Sequence, residues 1–432
     1  MEFTEIKEKL LSVAQEGAEW ILNLAKEVYK TPESGFKEEK TSKLVQNAFK
    51  ELGMEFEYPL AVTGVKATLK GRNSNFNVAI IGELDSIFCF EHPDAAKNGA
   101  VHACGHSAQI GSMLGAAYIL KKSGIMEHLD GDVTFMAVPA EEFIELDFRK
   151  ELKNEGKLKY FSGKQQLVYE GAFDNVDMAM MIHAHSNEPR EVLFLNGDSL
   201  GFISKKVTFC GKASHAASPA DGTNALNAAA LAILGIHSNR DIFREDECIR
   251  IHPIITKGGD VVNCVPDEVV MEMQVRGATL QAVKKANAVT DRSILGACQM
   301  IGAEAKIENT VGYLPLVRNE DFYSVMESVA KEVIGSENIV SKYLLSGSTD
   351  MGDISAIMPA IHPCIGGFEG GIHSKDFKIA NYDYAVLTPA KLMALTAVDL
   401  LIDGAKKAEK IKSNYKPPLT KADYLKYLEG EL

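Results

Sequence analysis

"NVAIIGELD", residues 77–85, is an apolar run that turns acidic only at its end, and its reading decides the fold. A strand with one wet face alternates apolar and polar residues; an unbroken run of this kind belongs to a strand buried on both faces. Downstream, "SMLGAAYILKKSG" (112–124) carries helical periodicity, and "GDVTFMAVPAEE" (131–142) is a second buried strand ending in two acids. Strand, helix and strand in that order indicate an α/β sheet with its site at strand ends. Upstream, the pattern predicts helix to about Tyr29, a turn at "KTPESGF" (30–36), a helix over 37–53 ended by Gly53, and a strand "GVKATLKG" (64–71). Residues 143–170 form a charged insertion, after which "VDMAMMIHAHS" (176–186) resumes the core.

Near residue 197 the texture changes. "LGFISKKVTFCGKASHAA" (200–217) reads as a half-exposed strand into a turn, followed by the apolar helix "NALNAAALAILGIHSNR" (224–240). Two strands follow, "IRIHPIITKGG" (249–259) and "EVVMEMQVRGA" (268–278), then a helix over 280–302 and a strand "AEAKIENTV" (303–311). This is a compact unit of plausible domain size. From "LPLVRNEDF" (314–322) the α/β texture returns and ends in the helix "TPAKLMALTAVDLLIDGAKK" (388–407). The expected organisation is a small domain, 197–312, inserted into a larger one made of 1–196 and 313–432.

Composition bounds the function. A chain of 432 residues exceeds one small core, and 46% hydrophobic with 24% charged residues is ordinary for a globular protein. The net charge of −13 argues against nucleic-acid and anionic-membrane surfaces, which need basic patches. Seven scattered cysteines, an odd number, read as free thiols in a reducing compartment. The amphipathic N-terminus lacks the apolar core of a signal peptide, and no run approaches a membrane span. A cytoplasmic location is expected.

"AVHACGHSAQIG" (100–111) packs two histidines around one cysteine. Heme attachment would need a second cysteine ahead of the Cys-His pair, and a disulfide would need a partner nearby. Metal coordination is the reading with a mechanism, because thiolate and imidazole are standard ligands of zinc-like ions. Inert core residues are the alternative until more ligands appear. Glu141 and Glu142 end a strand, where adjacent side chains point opposite ways and can take different tasks, one on a cation and one on a proton. His183 and His185 end another apolar run, and the glycine-rich "GGFEGGIHS" (366–374) delivers His373. The set, rather than any one member, favours a dinuclear metal site. Asp85 is placed to orient a ligand imidazole.

On these residues the sequence resembles the two-metal aminoacylase and carboxypeptidase-type amidohydrolases. The resemblance is to the branch of indoleacetyl-amino-acid, hippurate and aminobenzoyl-glutamate hydrolases and related β-alanyl dipeptidases. It runs through "ESGFKEEKTSKLV", "HACGH", "PAEE", "MMIHAH", "GKASHAASPADGTNALNA", "VVNCVPDEVVMEMQVR", "GSTDMGD" and "GIHSKDF". It implies a mixed-sheet α/β metallopeptidase domain with an inserted α+β, ferredoxin-like lid and dimerisation domain. It also implies metal ligands Cys104, His106, Glu142, His183 and His373, with Cys104 bridging or supporting both ions, and Glu141 as general base. His215 becomes the lid histidine, commonly acting on the dimer partner's site, and Asn263 and Arg276 hold the substrate's carboxylate. His185, two residues past a ligand position, supports rather than binds. Many relatives carry Asp directly after "CGH"; here it is Ser107, which removes a partner for a ligand. The cofactors implied are two divalent ions, zinc first, with manganese or cobalt as alternatives. The activity implied is hydrolysis of an amide in a small substrate with a free carboxylate. A dipeptidase or carboxypeptidase is the alternative, and a non-catalytic metal-binding protein a remote one. A homodimer or larger homo-oligomer is expected, without nucleic-acid or membrane partners.

Overall fold

The run at 77–85 forms the strand Asn77–Glu83 inside a six-stranded mixed sheet. In spatial order the sheet holds Phe56–Leu60, Gly64–Leu69, Asp132–Val138, Asn77–Glu83, Met178–Met180 and Ala360–Ile361. Asn77–Glu83 is parallel to both neighbours, in a register that sets Glu83 beside Val138. Gly64–Leu69 runs antiparallel to Asp132–Val138. Val78, Ala79 and Ile80 have no solvent exposure, as the unbroken apolar run requires. The computed structural model describes residues 3–195, 197–341, 343–344 and 347–431.

The chain folds as two compact units. The first comprises Met1–Gly197, Val317–Leu344 and Asp353–Leu425. Its helix His106–Ser123 is buried all round, packed on Asn77–Glu83 and between the helices Ala18–Tyr29 and Thr388–Leu401. The helix expected to Tyr29 is two helices, Phe3–Glu16 and Ala18–Tyr29, meeting at Gly17. The charged 143–170 segment forms two helices, Leu146–Asn154 and Gly163–Glu170. Among the described residues one helix, Asp383–Leu401, is long and apolar enough to cross a membrane, contrary to the expectation that no run approaches that length. Its apolar window is 89% buried, which makes it a core helix of this unit.

The second unit comprises Asp198–Leu316, Leu345–Gly352 and Lys426–Leu432. Its antiparallel sheet runs Arg250–Lys257, Glu268–Gly277, Gly201–Cys210 and Glu304–Val311. Helices Ala225–Ser238 and Leu280–Ile301 pack against it. Alternation here is genuine: Val269, Met271, Met273 and Val275 face a core shared with Val207, Phe209, Ala228 and Ala232, and intervening residues are more exposed. One covered face is what period-two patterning encodes. Both helices start on side-chain caps, with Asn224 accepting from the amides of Leu226 and Asn227, and Thr279 from that of Ala282.

Candidate metal centre

The Cys104–His106 turn depends on Gly105, whose φ of 89° is left-handed and whose Cα faces Ala184. A Cβ there would lie 2.5 Å from the Ala184 methyl, so only glycine lets the turn settle against the His183–Ala184 strand. Cys104 Sγ consequently lies 3.6 Å from His183 Nε2. His183 Nδ1 donates to the Ala184 carbonyl at 2.8 Å, and His106 Nδ1 to the Asp85 carbonyl at 2.9 Å. A carbonyl can only accept, so Nδ1 of each ring carries a proton and Nε2 is the nitrogen turned to the site. Asp85 also accepts from the Glu142 amide at 2.8 Å through Oδ2, so it orients the His106 ring and the acid-bearing strand end together.

Glu142 Oε1 lies 2.9 Å from His373 Nε2, and the His373 amide donates to Ala103 at 2.8 Å. These contacts fasten the distant "GIHS" loop to the cysteine loop. Ala140 and His373 hold positive φ of 53° and 65°, conformations a side chain adopts only when its surroundings enforce them. At Ala140 the enforcement is visible: the buried Glu38 carboxyl accepts from its amide at 2.8 Å and from the Thr63 hydroxyl at 2.6 Å.

Among the described residues three donor groups result, each with ligand atoms within 4.8 Å of one another: Cys104, His106 and His183; Cys104, Glu142 and His373; Glu83, His106 and Glu141. Burial and the Glu142 charge push the Cys104 thiol up, but His106 and His183 reverse this and bring it to about 6, a thiolate at neutral pH. Burial opposes charge on His106, yet the Cys104 thiolate and Glu83 hold it well above the usual imidazole range. Burial likewise opposes charge on Glu142, and the His373 hydrogen bond and charge hold it low. His106 Nε2 and Glu83 Oε2 sit 3.1 Å apart, fully buried, and neither makes a hydrogen bond among the described residues. Buried groups within 4.8 Å of one another that mix thiolate, imidazole and carboxylate fit divalent cations.

The structure thus brings together Cys104, His106, Glu141, Glu142, His183 and His373. His185 stacks on Phe194 at 4.0 Å and is in none of these groups. Ser107 Oγ is buried and makes no hydrogen bond among the described residues. Glu83 and Lys164 were missed. Glu83 carries only a weak signal, its spacing of two from Asp85 at a strand end, and Lys164 lies in the charged 143–170 segment.

In the second unit, His215 and Asn263 lie on paired turns: His215 bridges Cys264, and the Ala216 amide donates to Asn263 O at 2.9 Å. His215 is exposed, and its Nδ1 accepts from the Ala217 amide at 3.1 Å, leaving Nε2–H as an outward donor. Val261 and Val262 stand exposed beside them. Arg276 ends Glu268–Gly277, half-buried, with its guanidinium on Gln274 Oε1 at 2.5 Å and Ser348 Oγ at 3.0 Å. Burial lowers its pKa. Ser348 belongs to the "GSTDMGD" stretch.

The sheet of the first unit carries a candidate dinuclear centre, and together with the family match that follows, it makes the chain a metal-dependent hydrolase of amide bonds. Residues 79–397 match Peptidase family M20/M25/M40, and the chain belongs to that family. The chain is 26% identical over 384 residues to the IAA-amino acid hydrolase ILR1-like 2 of Arabidopsis thaliana, covering 84% of this chain and 81% of that protein. It is 28% identical over 352 residues to the Xaa-Arg dipeptidase of Homo sapiens, covering 77% and 74%. In fold it is similar to a dinuclear metal-binding peptidase of the same family from Bacillus subtilis, with a TM-score of 0.70, 21% identity, and 90% and 99% of the two chains covered.

Proposed function

We propose that this chain hydrolyses the amide of a small substrate bearing a free carboxylate, as an N-acyl-amino-acid or aminobenzoyl-glutamate type amidohydrolase with two divalent ions. Cys104 carries this reading, because its sulfur belongs both to the group with His106 and His183 and to the group with Glu142 and His373. A thiolate common to two donor groups suits a dinuclear centre in which Cys104 bridges or supports both ions. Zinc fits the soft and borderline donors first, with manganese or cobalt as alternatives. A divalent ion held there would lower the pKa of water from about 15.7 to about 7 and polarise a carbonyl.

The chain's own residues supply the rest. Glu141, buried beside His106 at 3.9 Å, takes the proton of the attacking water and passes it to the leaving amine. His215, with Nε2–H turned outward, donates to the carbonyl oxygen as charge develops there. Asn263 and Arg276 hold the substrate carboxylate, Arg276 as a bidentate partner. The unit read as 197–312 acts as a ferredoxin-like lid and dimerisation domain; its strand–helix–strand–strand–helix–strand order and sheet order support this. A homodimer or larger homo-oligomer in the cytoplasm, without nucleic-acid or membrane partners, fits the net charge of −13 and the seven free thiols.

A dipeptidase is the second reading, favoured by the Xaa-Arg dipeptidase among the relatives. Elemental analysis and a panel of N-acyl amino acids and free dipeptides separate the two. Two ions per chain and turnover of blocked substrates support the amidohydrolase. A strict requirement for a free amino group transfers the reading to the dipeptidase, and metal-independent turnover removes both.

A further inference from the structure

Lys164 and Glu83 form an ion pair for which the hydrolytic reading has no use. Lys164 Nζ lies 2.6 Å from Glu83 Oε1, and neither side chain has any solvent exposure. Packed apolar residues often match or better a buried ion pair for stability, so stability alone is a poor reason for this one. Its position supplies a better reason. Glu83 ends the strand Asn77–Glu83 and accepts Lys164 on one oxygen, while the other, Oε2, is buried without a hydrogen bond and faces His106 Nε2 at 3.1 Å. Because Nδ1 donates to the Asp85 carbonyl, Nε2 is the nitrogen that faces Glu83. With Glu141 these two form a buried group whose ligand atoms lie within 4.8 Å of one another, and a buried carboxylate oxygen is costly unless a positive charge shares it.

Lys164 is held in place from the same strand end. Gly163 approaches Pro139 so closely that a Cβ would lie 1.7 Å from the Pro139 carbonyl oxygen, and the Gly163 amide lies 3.3 Å from Ala140 O. Pro139 and Ala140 directly precede Glu141 and Glu142. The segment at 143–170 therefore places a cation behind Glu83 from the peptide that carries the two catalytic-centre acids.

We propose that Glu83 is a further metal donor on the His106 side of the centre, and that Lys164 is the positioning residue that turns it and offsets its charge. This rests on the reading that the centre holds divalent ions. One carboxylate oxygen is committed to Lys164, and the other to the ion shared with His106.

The test uses metal-stripped full-length protein titrated with zinc alone against a chromophoric chelator, with cobalt as a spectroscopic probe. Glu83→Gln should weaken one of two ions by on the order of a hundredfold and change the cobalt ligand-field spectrum. Lys164→Met should weaken the same ion by roughly 10–100-fold, the usual effect of losing a partner that orients a ligand. Lys164→Arg should recover part of that loss. Because Lys164→Met strands a buried carboxylate and can unfold the chain, the double variant Glu83→Gln with Lys164→Met is the control. It removes both charges and should bind no more weakly than Glu83→Gln alone. Wild-type affinity for both ions and an unchanged cobalt spectrum in Glu83→Gln and the double variant would overturn the proposal. A wild-type protein that binds no ion would instead remove the dinuclear reading on which it rests.

Discussion

Glu141 and Glu142 are neighbours in sequence, and exchanging each for glutamine should produce two different losses. Glu142 Oε1 is 2.9 Å from His373 Nε2, and its amide is held by Asp85, so its carboxylate is committed to the donor group with Cys104. Glu141 Oε2 stands 3.9 Å from His106 Nε2, beyond hydrogen-bond distance, yet is only 7% exposed. Glu141→Gln keeps size and shape and removes a base. General-base action contributes roughly a hundredfold to ten-thousandfold, so the barrier should rise by about 2.7–5.4 kcal/mol with metal content intact. Glu142→Gln removes a charged donor, and should reduce metal affinity by more than the roughly 10–100-fold attached to outer partners. Inductively coupled plasma metal analysis beside steady-state turnover reads both. Turnover within tenfold of wild type in Glu141→Gln, or two retained ions in Glu142→Gln, would refute the division of labour.

Cys104→Ala should release at least one ion and abolish most turnover; full metal content by elemental analysis would contradict the shared-thiolate reading. His215→Ala should lower turnover by about a hundredfold to a thousandfold, as removal of an oxyanion donor does. If His215 serves the partner subunit, mixing inactive His215→Ala and Glu141→Gln chains should restore activity once subunits exchange, and proven exchange without recovery excludes that arrangement. Arg276→Lys should raise KM tenfold or more with kcat little changed, since lysine cannot copy the bidentate fork; equal losses in kcat would place Arg276 elsewhere. Burial, followed by the Asp85 charge, raises the Glu38 carboxyl from 4.5 to about 8. Between those values the unfolded chain binds fewer protons than the folded one, so this group makes stability fall as pH rises through that window. Glu38→Gln, which resembles the neutral acid, should gain stability relative to wild type between pH 5 and pH 8.5 in urea unfolding. A constant difference across that range would show that Glu38 does not titrate there.

Residues that announce themselves by local pattern were legible. The run at 77–85 gave a strand buried on both faces, and the alternation in Glu268–Gly277 gave one covered on a single face. Cys104, His106, Glu141, Glu142, His183 and His373 stood out as chemistry-bearing types at strand ends and in glycine-rich turns, and all six enter the donor groups. His92, which carried no motif, is a buried structural residue bonded to the Phe377 carbonyl at 2.8 Å. Asp85 was placed correctly beside an imidazole, although its backbone carbonyl makes the shorter contact.

Glu83 and Lys164 were not legible in the same way. A glutamate at a strand end is ordinarily solvated, and a lysine in a charged segment is ordinarily exposed. Only the register that sets Glu83 beside Val138, and the approach of Gly163 to Pro139, bury both and join residues 81 positions apart. The sequence by itself determined the periodicities, the ligand types and the order in which strands would deliver them, because each depends on neighbours along the chain. Which nitrogen each histidine offers, how far the thiol is pulled toward thiolate, and which acid faces which imidazole were decided by tertiary structure. Those properties depend on distances of about 3 Å between groups far apart in sequence, and on burial that makes each unpaired charge costly.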